Sequence, residues 1–267
     1  MLRNRVIPIL LMRDGDLVKT VKFAQPRYVG DPLNAIRILN EKEVDELVLL
    51  DIAATAGGGG PNLEMVRDVA SECFMPLAYG GGISSVGQAS SLFSIGVEKV
   101  VLRSAAARDL GLVREVSGFA GAQSVAISVD VQRSRFGRYR IYAPGTPLDR
   151  DPDWRGFVHR ATDAGAGEVV LQSVDRDGTR AGLDLTLIRE ASRGLTVPLV
   201  AVGGVGELQD IKAGVDAGAS AIGAGSFFVF RGPRRAVLIT YPDYDDLTAL
   251  LGVARPGEVQ PPTSWAD

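Results

Sequence analysis

Short, uninterrupted apolar runs alternate with amphipathic stretches along the whole chain. The runs predict strands at Val6–Leu11, Leu47–Ile52, Pro76–Tyr79, Lys99–Leu102, Ser124–Asp130, Glu168–Gln172, Pro198–Val202 and Ala219–Gly223. Between them, a helical spacing of apolar positions marks Pro32–Lys42, Leu63–Ala70, Val86–Phe93, Asp153–Ala164, Leu185–Ser192 and Leu208–Ala217. Strands that are apolar on both faces and separated by helices belong to a parallel sheet. Eight such units in about 250 residues predict an α/β fold of the (βα)8 TIM-barrel class. An open, doubly wound sheet is the alternative, but it does not predict equivalent halves. In a barrel, chemistry gathers at the C-terminal strand ends. Here these carry Leu11, Asp51, Gly81, Arg103, Asp130, Gln172, Gly203 and Gly225.

The halves are equivalent in sequence. At a shift of 122 residues, Asn62–Arg67 falls over Asp184–Arg189, Gly81-Gly82 over Gly203-Gly204, Gly96 over Gly218 and Ser104 over Ser226, without a gap. Glycines at a strand end let backbone N–H groups approach an anion closely. Two such turns in matching places predict two pseudo-symmetric half-barrels and a ligand with a phosphate at each end. Gly81, Gly82 and Ser104 form one expected site, and Gly203, Gly204, Gly225 and Ser226 the other.

Composition narrows the class. At 267 residues and 46% hydrophobic, the chain can bury one large core, and a single barrel is expected over residues 1–253, with a loose tail over 254–267. The net charge of −3 and the absence of a dense basic stripe argue against nucleic acid as the main partner. A lone Cys73 suits a reducing compartment, and Val6–Met12 is too short for a membrane span or a signal peptide, so a cytoplasmic protein without a membrane partner is expected. The single histidine, His159, reads as an exposed helix residue. No His or Cys has ligand-like spacing, so neither metal nor cofactor is expected. Met12–Gly30 reads as a long loop that is either a lid or a surface hairpin, with its position favouring the lid, and Gln132–Asp149 reads as a second hairpin.

The motifs Arg5-Val-Ile-Pro, Asp14-Gly15, Val18-Lys19, Leu50-Asp51-Ile52, Gly80-Gly81-Gly82-Ile83, Lys99-Val100 and Ser173-Val174-Asp175-Arg176-Asp177-Gly178-Thr179 together resemble the HisF family. HisF is the cyclase subunit of imidazole glycerol phosphate synthase, and the resemblance runs from about residue 3 to residue 230. It implies a barrel that binds the bis-phosphorylated substrate PRFAR across its mouth. It also implies a HisH-type glutaminase docked on the opposite face near Arg5, Glu46, Glu98, Lys99 and Glu168, sending ammonia along the axis. Arg5, Glu46, Lys99 and Glu168 match the family's charged gate. Lys19, Asp51, Arg103, Asp177 and Gly178 join the glycine turns as substrate-side positions, and Asp130 matches the strand-five general acid or base.

One position departs sharply. Where the family's first strand reads Cys-Leu-Asp-Val, this chain reads Ile9-Leu10-Leu11-Met12, so Leu11 stands in place of the second catalytic aspartate. Losing one general acid–base group costs about 10²–10⁴ in rate. Arg103 replaces a family asparagine and Val202 a serine. Leu17–Phe23, Tyr28–Ala35 and Arg235–Pro242 further resemble HisF-like paralogues linked to surface-polysaccharide genes, which work with an amidotransferase that installs acetamidino groups. The expected function is therefore an ammonia-conducting amidotransferase subunit for sugar amidination, with the sugar amidotransferase as a further partner. A true histidine-pathway cyclase is the first alternative, and a non-catalytic barrel that scaffolds or activates a partner the second.

Overall fold

The computed structural model describes residues 4–232 and 234–252, so the tail expected at 254–267 lies outside the described residues. Eight parallel strands form the frame: β1 (Arg5–Arg13), β2 (Leu47–Asp51), β3 (Leu77–Gly80), β4 (Lys99–Leu102), β5 (Val125–Arg133), β6 (Glu168–Ser173), β7 (Leu199–Val202) and β8 (Ala221–Ala224). Each pairs with the next, and β8 pairs back onto β1 with Arg5 opposite Ala221 and Pro8 opposite Ala224. The sheet is closed, as the (βα)8 pattern predicts.

Side chains alternate along every strand. On β1, Ile7 and Ile9 point into the bore, where they meet Val48, Ala78, Val101, Ala126, Val170 and Val200, while Val6, Leu10 and Met12 face the helices. The surrounding helices are α1 (Pro32–Glu41), α2 (Leu63–Glu72), α3 (Val86–Ser94), α4 (Gly111–Ala120), α5 (Trp154–Asp163), α6 (Leu185–Ser192), α7 (Leu208–Asp216) and α8 (Tyr244–Leu251). Most begin at a side chain that accepts an otherwise unpaired N–H, such as Asp31 from Asn34 at 2.9 Å and Asp153 from Gly156 at 3.0 Å. Helices α4 and α8 stand outside the expected helical patterns.

The repeat is also a repeat of these devices. Asn62 caps α2 and Asp184 caps α6, while Ser85 and Glu207, again 122 apart, are the N-cap positions of α3 and α7. Gly96 and Gly218 leave α3 and α7 at φ 104° and 109°. That left-handed region favours glycine, so both positions are fixed by backbone geometry.

Two strands run longer than their apolar runs predict, because each continues into a hairpin above the barrel. β1 pairs antiparallel with Asp16–Val21, which turns back through Ala24–Gly30. β5 does the same with Tyr139–Ile141. The first of these corrects the favoured reading of Met12–Gly30: it is a hairpin that extends the sheet, the alternative to a loop-like lid. Backbone hydrogen bonds decide this, since Leu17 and Val18 alternate weakly with charged residues but complete a ladder begun by β1. A third hairpin, Phe230–Arg231 with Ala236–Val237, follows β8. No helix among the described residues is long and apolar enough to cross a membrane.

Leu49 is wholly buried between the barrel and its helices. Leu49→Ala should lower stability by about 2–5 kcal/mol, read as the free energy of unfolding in urea.

Candidate functional site

The two ends of the bore are chemically different. At the N-terminal end, Arg5, Glu46, Lys99 and Glu168 close a ring in which each carboxylate bridges both cations. Lys99 Nζ lies 2.9 Å from Glu46 Oε1 and 2.6 Å from Glu168 Oε2, while Arg5 donates one nitrogen to each glutamate. The barrel register brings together residues up to 163 positions apart in the chain. Burial alone would lower the Arg5 pKa, but Glu168 and Glu46 carry it above its ordinary value. The four charges cancel, so the ring seals the end of an apolar bore without leaving net charge there.

At the C-terminal end lies a cavity of about 560 Å³. Leu11, Lys19, Asp51, Arg103, Ser104, Asp130, Asp177, Gly178, Gly203, Gly204, Gly225 and Ser226 all line it. Gly81 and Gly82 line an adjoining pocket of about 240 Å³ that shares Arg103 and Ser104. All four paired glycines have positive φ, from 69° at Gly82 to 135° at Gly81. A Cβ at Gly204 would collide with the carbonyl of Gly182, so this turn admits nothing larger.

Three expected site residues hold unexpected partners. Arg103, expected at a phosphate, donates Nε to Asp130 and a terminal nitrogen to the carbonyl of Tyr142 at 3.2 Å. Burial pushes the Asp130 carboxyl up from its ordinary value, partly offset by Arg103 and by Ser128, whose hydroxyl donates at 3.3 Å. The attraction of Asp130 raises Arg103 in turn. Asp177 faces the hairpin rather than an open ligand position: it accepts from Thr20 Oγ at 2.8 Å and Phe23 N at 3.1 Å, and its carbonyl accepts from Lys22 N at 3.0 Å. This carboxylate latches the hairpin over the mouth, with Phe23 edge-on to Tyr142 at 5.7 Å. Asp51 caps the turn after β2 through Ala53 N at 2.9 Å and Ala54 N at 3.0 Å.

Lys19 is carried inward by the latched hairpin. Its ammonium packs against Gly225 so closely that a Cβ there would overlap it. Burial lowers the Lys19 pKa, with Asp177 pulling the other way. Sequence reasoning missed Arg108, Arg180 and Tyr142, which also line the cavity. Arg180 Nε is buried without a hydrogen-bond partner among the described residues. It directly follows Thr179 in the loop motif after β6, a position from which it could have been read. Glu98 and His159 are exposed, His159 on α5 away from both ends of the bore.

A closed parallel (βα)8 barrel with its open cavity at the C-terminal strand ends defines the TIM-barrel class. The family model described as histidine biosynthesis protein matches residues 5–232. The chain belongs to that family, as a paralogue of its HisF branch. It is 47% identical over 251 residues to a Pseudomonas aeruginosa protein provisionally named imidazole glycerol phosphate synthase subunit hisF2, covering 92% of this chain and 99% of that protein. A Leptospira interrogans protein, provisionally named as subunit HisF of the same synthase, is 42% identical over 252 residues, 94% of this chain and 99% of the relative. A Vibrio vulnificus protein provisionally named subunit hisF3 is 44% identical over 247 residues, 91% and 94% respectively.

Two outcomes follow from this geometry. Asp177→Ala should free the hairpin, seen as faster amide exchange across residues 16–30 with the exchange of β5 and β6 unchanged. Because Lys19 is depressed, it loses its proton below the ordinary lysine range near 10.5. Binding of inorganic phosphate, followed by calorimetry, should therefore weaken as pH rises through that lowered value. In Lys19→Met the affinity should be lower and this pH step absent.

Proposed function

We propose that this chain is the synthase-side subunit of a glutamine amidotransferase complex, conducting ammonia from a HisH-type glutaminase to the mouth of the barrel. The nitrogen goes to an acetamidino group on a bacterial surface sugar. The observation that carries the reading is the contrast between the two ends. The ring Arg5–Glu46–Lys99–Glu168 is complete, whereas the mouth has Leu11 for one proton-transfer group and an arginine bound to the other, Asp130. A neutral ring above an apolar bore suits passage of neutral ammonia and disfavours an ion. PRFAR cyclisation needs protons moved on two sides of the substrate. Here Leu11 cannot exchange a proton, and Asp130 is occupied by Arg103.

The glutaminase is assigned to the N-terminal face, the end of the barrel that also carries exposed Glu98, Phe74 and Phe119. The paired glycine turns, with Lys19 and Ser226 at one end and Ser104 at the other, are assigned to a phosphorylated small molecule. The alternative, a histidine-pathway cyclase, draws support from the names of the relatives, which are synthase subunits.

The two readings separate on turnover. The unmodified protein should convert PRFAR with free ammonium about 10²–10⁴ more slowly than a cyclase with both aspartates. Leu11→Asp with Arg103→Asn should recover part of that rate. Robust ammonium-dependent turnover of the unmodified chain would return it to the histidine pathway. Lys99→Glu tests the conduit: glutamine-dependent transfer should fall while the circular dichroism spectrum and the thermal midpoint change little. An unaltered transfer rate in that variant would make the ring structural only.

A further inference from the structure

Exposed hydrophobic side chains are not scattered over this molecule. Of nine large ones among the described residues, six stand on the loops at the C-terminal strand ends and one on the helical wall, with Phe74 and Phe119 at the N-terminal end. Of the six at the C-terminal end, the most exposed sit on the three hairpins: Tyr28 after β1 (61% exposed), Phe136 after β5 (92%) and Leu238 after β8 (57%). An apolar side chain exposed on a hairpin buries little in the free chain, and exposed apolar groups on neighbouring loops mark association surfaces.

Two of the three hairpins carry charge of one sign, while the β1 hairpin adds exposed Asp14 and Asp16 to its lysines and arginines. The β5 hairpin carries Arg135 and Arg138 beside Phe136, and the β8 hairpin carries Arg234 close before Leu238, all without a salt bridge to a described residue. No Asp or Glu occurs in residues 131–148 or 226–242 of the sequence. The whole chain is nevertheless acidic, at −3. Two basic hairpins, one of them tipped by Phe136, are complementary to a carboxylate-bearing surface.

The rim encircles the mouth at which, on the function proposed above, ammonia emerges. Ammonia released there into water is protonated and lost to transfer. An acceptor site must therefore be sealed over the opening, and the seal must grip the projecting loops. We infer that the three hairpins around the mouth, through Tyr28, Phe136 and Leu238 and the adjoining arginines, form a docking surface for the acidic face of the ammonia-consuming enzyme. The barrel is then a spacer between two proteins, the glutaminase at the charged ring and the acceptor enzyme at the rim. The inference rests on the conduit reading and adds the second contact.

The test is a reconstituted mixture of this chain, its glutaminase and the sugar amidotransferase of the same organism. The variants are Arg135→Glu/Phe136→Ser/Arg138→Glu on one hairpin and Arg234→Glu/Leu238→Asp on another, neither in the cavity lining. Each should keep the circular dichroism spectrum and co-elution with the glutaminase. Each should lose the amidotransferase on gel filtration, and glutamine-dependent product should fall about tenfold or more, with ammonium-dependent product unchanged. Normal co-elution and glutamine-dependent transfer in both variants would overturn the docking surface alone. Absence of glutamine-dependent transfer in the unmodified mixture would overturn the conduit reading and this inference together. Retention of the unmodified rim on heparin but not on the amidotransferase would also overturn it.

Discussion

Strand β1 is hydrogen-bonded along both edges, to β2 on one side and β8 on the other, and the rest of the molecule depends on that closure. A closed parallel ladder leaves no edge strand, but it asks every strand to be apolar on two faces, one toward the helices and one toward the bore. The bore layer of Ile7, Ile9, Val48, Val101 and Val170 cannot accommodate an unpaired charge. Polar chemistry is thereby displaced to the two ends of the strands. One end receives the charged ring and the other the glycine turns, so the division of labour along the axis follows from packing.

The ring illustrates how closely that frame controls electrostatics. Four charges at the base of a hydrocarbon bore incur a desolvation cost that their mutual attraction offsets only with good geometry. Here each glutamate meets two cations and each cation two glutamates, so no charge is left singly paired. The contributors come from β1, the turn before β2, β4 and β6, and only fixed strand register places their tips together. A slip of one residue in any of these strands would turn its side chain to the opposite face. Such a ring adds little stability by itself, but its formation requires the correct closure.

Much of this was legible in the sequence because it is carried by periodicity and by residue types with narrow uses. The eight apolar runs, the glycine pairs and the cap positions Asn62 and Asp184 each have a local physical signature, and the 122-residue repeat shows each of them twice. The hairpin after β1 was less legible. Its strands mix Lys19 and Thr20 with Leu17 and Val18, and what orders them is the ladder with β1 and the distant Asp177 carboxylate. Helix α4 was missed because Gly111 and Gly118 dilute its helical pattern. Roles set by pairing across the mouth were not readable at all. Arg103 and Asp177 stand at their expected strand ends, yet which group each one binds is decided by neighbours brought from elsewhere in the chain.

The mouth shows why Leu11 and Arg103 belong to one argument. A leucine on β1 removes a polar neighbour and excludes water from that side of the cavity, leaving Asp130 buried, where its charged form is disfavoured. A buried carboxylate must then bind a proton or find a cation, and Arg103 on the adjacent strand supplies the cation. The pairing offsets part of the burial cost, and the guanidinium occupies a carboxylate oxygen that a substrate proton would need. Restoring an aspartate at position 11 alone would place a second carboxylate beside an ion pair already complete. Arg103 could then be drawn toward either acid, and neither would be free. On the proposed function, cyclase chemistry needs both positions changed together, whereas conduction through the apolar bore makes no demand on either of them.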